Sequence, residues 1–433
     1  MSKGKLGKWM VLFIAMFLSV GLAACSASTT AKKEEAASSS DNSEVKLRIA
    51  WWGSQERHDA TLKAIELYEK KNPNVKFEME YSGLDGYFDK LATQAAGKNA
   101  PDIIQMEAIY LREYAERNQL TDLTGKINLD NVEDTLIEAG KVNGKLYVVP
   151  LGNNAHGMIY NKSILEKLKV EIPQAGWTWD ELFALAKEVQ PLLGEGVYAL
   201  KDLTTISGVY EMYQLSKGKG HITNEDGSFN IDKETWLEWV NTFTELRKQG
   251  VVPPAEINVS DQIFDPTRDL LLNGTVLIKN AYAAEFPGFN SVTPGSFELV
   301  AAPKDKEAGG YLKPSMSWAV SEHSQHKKEA QKFIEFFIHD PEAAQILGSS
   351  RGLPVDKTNL EKLSKNFTEA QNMQLKLTNE TIPTAQTFNG GPRGYGKFSL
   401  NSYITVTDQV IFGELEPEKA FVELKRVFKE STN

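Results

Sequence analysis

Hydrophobic and polar positions divide the chain into alternating short strands and amphipathic helices. Val45-Lys46-Leu47-Arg48-Ile49-Ala50 alternates and then turns apolar at Trp51-Trp52, which predicts a first strand. Gly53-Ser54-Gln55 reads as a loop. Asp59 to Lys71 carries Leu62, Ile65 and Leu67 at helical spacing, and Asn72-Pro73-Asn74 stops it. Val75 to Tyr81 alternates as a second strand, Tyr87 to Ala96 is helical, and Asp102-Ile103-Ile104-Gln105-Met106 is a short apolar strand. A β-α-β-α-β order implies a parallel sheet with helices on both faces. The pattern then restarts. Met158-Ile159-Tyr160, Val197 to Leu200 and Val276-Leu277-Ile278 read as strands. Trp179 to Val189, Trp236 to Lys248 and Lys328 to Leu347 read as helices. The expected fold class is α/β: two lobes of similar build, each a mainly parallel sheet flanked by helices.

Before the first strand the pattern differs. Lys3, Lys5 and Lys8 precede an apolar run from Trp9 to Leu22, and small residues lead into Cys25. This is the layout of a secretory signal, and the run is shorter than the ~20 residues that span a bilayer. Leu22-Ala23-Ala24-Cys25 resembles a bacterial lipobox, in which the cysteine sulfur is lipidated and the chain is cut before it. Cys25 is the single cysteine of the chain, so an internal disulfide and a cysteine-built zinc cage are excluded. Ser26 to Ser43 holds no large apolar residue and reads as a flexible tether, with a reach of about 25 Å as a random coil. The expected division is a signal peptide at 1–24 and a lipidated Cys25 with its tether at 25–44. The expected location is the extracytoplasmic face of a membrane, a Gram-positive cell surface in particular.

Composition narrows the function. The 433 residues are 41% hydrophobic and 24% charged, as in soluble globular chains, and the length suits two or three domains. There are 48 basic and 58 acidic residues. Removal of residues 1–24 leaves 45 basic residues against the same 58 acids, which disfavours nucleic acid as a partner. Enzyme signatures fail on context. Gly348-Ser349-Ser350-Arg351-Gly352 fits GxSxG, but a helix precedes it where a nucleophile elbow needs a strand. Gly194-Glu195-Gly196 precedes a strand and does not open a helix. Neither a phosphate-binding loop nor HExxH is present, and no cofactor or metal is expected. A glycosidase pair among 58 carboxylates stays open.

The aromatics say more. Of 8 Trp and 14 Tyr, several fall at strand ends or in loops: Trp51 and Trp52, Tyr282, Trp318, and Tyr395 in the Gly390-Gly391-Pro392-Arg393-Gly394-Tyr395-Gly396 loop. Ligands of open α/β sheets sit beyond the carboxyl ends of strands, where aromatic faces suit the C–H faces of sugar rings. Alternation sends one of Trp51 and Trp52 into the core and the other toward the cleft, without saying which. Trp179 and Trp236, on helices, are expected in the core.

Five motifs in order then carry a resemblance that runs from about Val45 to the C-terminus. They are Pro101-Asp102-Ile103, Gly144-Lys145 to Pro150 with Tyr160-Asn161-Lys162, Thr178-Trp179-Asp180-Glu181-Leu182, Asn273-Gly274 with the Val276 strand, and Gly352-Leu353-Pro354. The chain resembles the extracellular solute-binding proteins of bacterial ABC sugar importers, the group that includes the maltodextrin-binding proteins. The resemblance implies two lobes closing over a sugar, with lobe 1 at 45–152 plus 318–356 and lobe 2 at 153–317 plus 357–433. It implies hinge segments near Leu151 to Ala155 and Tyr311 to Ser317. It places Tyr282 and Trp318 as stacking groups and Gln105, Glu107, Asn154 and His156 as hydrogen-bonding groups. It puts Met106 where a maltodextrin binder has a stacking Trp, which argues against maltodextrin. Trp52, Gln55, Arg57, His58, Tyr87, Arg393 and Tyr395 are further expected cleft residues. Arg57, His58 and Arg393 would suit an acidic sugar. The stretch from Trp51 to Asp59 is similar to binders of plant cell-wall oligosaccharides, pectin-derived ones included. The implied partners are an oligosaccharide, the permease subunits of the importer and the membrane through the lipid, with the protein a monomer. A secreted polysaccharide-active enzyme and a binder of a non-sugar solute are the alternatives.

Overall fold

The computed structural model describes residues 44–84, 86–263, 265–305 and 310–432. The signal, the Cys25 lipobox and the tether lie outside the described residues. Among the described residues no helix is long and apolar enough to cross a membrane.

Two sheets organise the body. The first has the strand order Val75–Ser82, Val45–Trp52, Ile103–Met106, Ser317–Val320, Val148–Pro150. Its first three strands are parallel, with Val45 beside Val75 and Ile49 beside Ile103. Ser317–Val320 runs antiparallel to both of its neighbours. The second sheet has the order Gln386–Thr387, Tyr311–Pro314, Asn153–Asn161, Val276–Tyr282, Tyr198–Leu200, with Phe297–Ala301 also pairing Asn153–Asn161. It is mixed: Asn153–Asn161 pairs antiparallel with three strands, and the two outer pairings are parallel. The expected mainly parallel pairing thus describes the N-terminal half of the first sheet. The direction of the other strands is set by how the chain returns between sheets, which local alternation does not encode.

Local signals set several helix ends. Ser54 accepts the Arg57 N–H at 3.4 Å, so the first helix runs Gln55–Lys71, starting before the expected Asp59, and leaves Gly53 and Ser54 as the loop. Thr178 and Glu181 form a reciprocal capping box, and the helix Trp179–Val189 buries Trp179, Leu182, Phe183, Ala186 and Val189 on one face. The expected helix from Lys328 to Leu347 is two helices, Lys327–His339 and Pro341–Leu347. Pro341 has no N–H to continue the first, and Asp340 caps the second. Trp179 and Trp236 are fully buried, as expected, and Trp239 meets Trp179 edge-on at 5.4 Å.

Two segments pass side by side between the sheets, and a third lies against them. Val148–Pro150 leads through Leu151-Gly152 into Asn153–Asn161, and Tyr311–Pro314 leads through Ser315-Met316 into Ser317–Val320. Leu151 N–H donates to Met316 at 2.9 Å and Ser315 N–H to Gly152 at 3.0 Å. The third segment enters where Asn153 and Leu353 exchange backbone bonds of 2.8 and 3.2 Å. A side chain at Gly152 would collide with the Arg351 carbonyl and the Ser315 hydroxyl, so the three strands meet only because this residue is glycine. The helix Lys357–Ser364, expected to open lobe 2, is held by lobe 1. Asn359 donates to the Ile338 and His339 carbonyls, and Lys357 N–H donates to Asn131. The final return to lobe 2 therefore follows that helix, and Glu369–Thr381 packs on the second sheet.

Candidate functional site

A cavity of about 640 Å³ lies between the two sheets, within the size range of small-molecule sites. From the first lobe come Leu84, Phe88 and Asp89 at the start of helix Tyr87–Ala96. Glu107, Ile109 and Tyr110 follow, where strand Ile103–Met106 passes into helix Ala108–Glu116. From the second lobe come His156, Asn280, Tyr282, Tyr311 and Lys313 on three adjacent strands. The start of helix Ser207–Ser216, together with Phe388, Tyr395, Ser399, Leu400 and Ile404, completes the wall.

The strand register builds the second-lobe wall. His156 sits directly opposite Tyr282, and the two rings stack at 4.1 Å and 17°. His156 Nδ1 lies 3.3 Å from the Tyr311 hydroxyl, and the Asn280 amide lies 3.3 Å from Nε2. Burial, seconded by the Lys313 charge, pulls the His156 pKa down to about 3, so this histidine is neutral at neutral pH. Lys313 meets Glu107 across the lobes at 2.8 Å, and its ammonium stands 5.6 Å from the Tyr282 ring. Burial opposes that charge, but Glu107 and its other neighbours outweigh it and raise the Lys313 pKa. At the floor, buried Glu211 holds His221 at 2.8 Å. Burial works against charge on that imidazole, and the Glu211 bond overcomes it and raises its pKa. On the first-lobe wall Phe88 and Tyr110 form a tilted pair at 4.1 Å.

Of the residues expected from the sequence, the structure brings Glu107, His156, Tyr282 and Tyr395 to this cavity. The others lie elsewhere. Trp318 is fully buried in the first lobe, edge-on to Phe337 at 5.6 Å, with the Arg351 guanidinium 5.6 Å from its ring. It is a core residue because its strand is central to a sheet covered on both faces. The same covering removes both candidate tryptophans. Trp51 donates to His58 Nδ1 at 3.0 Å and stacks on Tyr81 at 4.9 Å. Trp52 lies on the other face against Tyr87 and Phe88, one layer behind the cavity wall. Gln105 is buried, donating to the Trp52 carbonyl at 2.9 Å and accepting two bonds of 3.2 Å from Arg351. Tyr87 donates to the Gln105 carbonyl at 2.9 Å, and Met106 is buried. Asn154 accepts the Ala284 N–H at 3.0 Å. Arg57 donates to the Ser350 carbonyl at 3.1 Å, and Gln55 to Asp59 at 2.7 Å. Arg393 is exposed and does not line the cavity. The three groups suited to an acidic sugar, Arg57, His58 and Arg393, are therefore all absent from the wall.

Phe88, Tyr110, Glu211, Asn280, Tyr311 and Lys313 line the cavity without having been singled out. Phe88 and Tyr110 carried a signal: each is an aromatic in the first turn of a helix that follows a strand of the parallel half-sheet, where ligand sites form. Lys313 and Tyr311 carried none, since only the pairing of distant strands brings them beside His156. Among the described residues no group of three His, Cys, Asp or Glu is placed to hold a metal.

Two lobes, strand crossings between them and a cavity at their seam define a receptor that encloses a small solute. Comparison with known proteins agrees. Residues 63–384 match the family model for bacterial extracellular solute-binding proteins, and the chain belongs to that family. A multiple sugar-binding protein of Streptococcus mutans is 24% identical over 344 residues, 75% of this chain and 77% of the relative. The solved structure of a family 1 extracellular solute-binding protein from Alicyclobacillus acidocaldarius superposes with a TM-score of 0.75 at 26% identity, covering 90% of this chain and 99% of that one. A periplasmic oligogalacturonide-binding protein from Yersinia enterocolitica superposes with a TM-score of 0.76 at 22% identity, over 90% and 100% of the two chains.

Proposed function

We propose that this protein is the receptor of an ABC sugar importer, capturing an oligosaccharide between its lobes and handing it to a membrane permease. The observation that carries the reading is the make-up of the cavity. Phe88, Tyr110, Tyr282 and Tyr395 supply aromatic surface, interleaved with Glu107, Asn280, Ser207 and Tyr311 as hydrogen-bonding groups. Sugars need both, because their C–H faces are apolar and their rims are hydroxylated. The sugar-binding relative supports the same reading. Closure follows from the two-sided wall: a ligand touching both Tyr110 and Tyr282 favours the state in which the lobes meet. The protein acts by binding and release and performs no chemistry. It is a monomer anchored through lipid on Cys25 at the extracytoplasmic face of a Gram-positive membrane, with residues 26–43 as the tether. The lobes are 45–152 with 318 through the Lys357–Ser364 helix, and 153–317 with the rest of the chain.

A thermal-shift screen against oligosaccharides, peptides and polyamines tests this. A ligand at a hundredfold excess over Kd stabilises the folded state by about 2.7 kcal/mol. A sugar-specific shift without product on standing is expected. A shift with peptides or polyamines alone, or turnover of the glycan, would overturn the reading.

A further inference from the structure

The charges in the cavity narrow the sugar. Among the described lining residues three are carboxylates, Asp89, Glu107 and Glu211, and Lys313 is the one lysine or arginine. That cation is engaged. Its ammonium lies 2.8 Å from Glu107 and is flanked by the rings of Tyr282 and Phe388 at 5.6 and 5.7 Å. A carboxylate on the ligand would have to displace Glu107 or share Lys313 with it. Near the floor, His221 is bonded to Glu211. The N-terminus of helix Ser207–Ser216 also opens on the cavity, and its dipole suits hydroxyl oxygens. Glu211, one turn further along that helix, offsets its positive end. Among the described residues, arginines, the side chains best shaped to grip a carboxylate through two parallel bonds, do not line the cavity.

We propose that the site selects uncharged oligosaccharides and rejects uronates of the same ring configuration, with Glu107, engaged by Lys313, and Glu211 as the specificity-determining residues. The inference rests on the sugar-receptor reading above. It separates this chain from the oligogalacturonide-binding structure that shares its fold. Neutral cell-wall oligosaccharides stay within the class.

The test uses matched trios of di- and trisaccharides in gluco-, galacto- and manno-configuration: the neutral sugar, its uronate and the uronate methyl ester. The ester restores neutrality while keeping the ring, so charge is separated from shape. Titration calorimetry on the full protein should show, in the configuration that binds, the neutral sugar and the ester at least tenfold tighter than the free uronate. Glu211→Gln should narrow that gap. If its loss of the His221 bond unfolds the protein, Glu107→Gln, which frees Lys313, should narrow it instead. A uronate binding as tightly as its ester would overturn the proposal and leave the sugar receptor standing. Absence of binding by every trio, with the protein folded, would overturn the sugar-receptor reading and this proposal with it.

Discussion

Trp318 and Tyr282 are both aromatics at strand ends, and the structure assigns them opposite duties. Their alanine variants should therefore fail in opposite ways. Trp318 has no exposed surface, so Trp318→Ala opens a cavity in the first lobe and should cost about 3–5 kcal/mol. Arg351 adds to this. It is buried, donates to Gln105 and Thr61, has no salt-bridge partner among the described residues, and loses one of the two rings beside it. At about 2.1 cal/mol/K per residue, a body of roughly 390 residues unfolds with an entropy near 0.8 kcal/mol/K, so Tm should fall by about 4–6 °C. Ligand affinity of the folded variant should stay within about threefold of wild type. Tyr282→Ala removes half of the 4.1 Å stack with His156 and one ring from the cavity wall. Ring pairs are worth about 0.5–1.5 kcal/mol; loss of the His156 stack weakens the free and the loaded protein alike, and loss of the ligand's own stacking weakens binding alone. Affinity should drop by about 0.5–1.5 kcal/mol, roughly 2- to 13-fold, with a Tm change smaller than that of Trp318→Ala. Calorimetric melts and ligand titration on both variants decide the matter. A Trp318→Ala protein that melts like wild type and no longer binds would refute the argument.

Three further perturbations probe other parts of the molecule. Gly152→Ala places a methyl group against the Arg351 carbonyl at the strand crossing, so the lobes should be held apart, with weaker ligand binding and a larger radius of gyration in scattering from the ligand-loaded protein. His156 titrates near 3 when folded and near 6.5 when unfolded, so between these values the unfolded chain holds the extra proton. Stability should then decline as pH falls below about 6.5, by up to roughly 1.4 kcal/mol per pH unit, and denaturant melts of His156→Asn should show a shallower slope over pH 4–6. Arg247→Met removes the 2.7 Å partner of fully buried Asp202, whose carboxylate also accepts the Thr204 N–H next to the cavity wall. A loss of about 3–5 kcal/mol is expected in urea melts, and wild-type stability would show the pair to be dispensable.

The reach of the sequence ended at recognisable physical boundaries. The Trp179–Val189 helix could be read to the residue because its cap, its capping box and its buried stripe all lie within a dozen neighbours. Tyr282 and His156 were expected through the family resemblance, since the strand segments read from the pattern, Met158 to Tyr160 and Val276 to Ile278, stop short of both. Trp318, Trp52 and Gln105 were misplaced for one shared reason. A strand end exposes its last side chain only if no helix or second strand covers it, and here helices Gln55–Lys71 and Tyr87–Ala96 and strand Ser317–Val320 do so. Arg57 lies at a helix start that Ser54 initiates, and it turns back to the Ser350 carbonyl, almost three hundred residues away.

The amino-acid order by itself determined the two-lobed α/β architecture and several helix boundaries, since these arise from periodicity, caps and composition over short spans. Only the tertiary structure decided which face of each strand meets the cavity, the antiparallel return of the second sheet and the pairing of Lys313 with Glu107. Those features depend on which distant segments come to lie side by side. A side chain's environment, and with it the charge the site presents to a ligand, is fixed by neighbours that are remote in the chain.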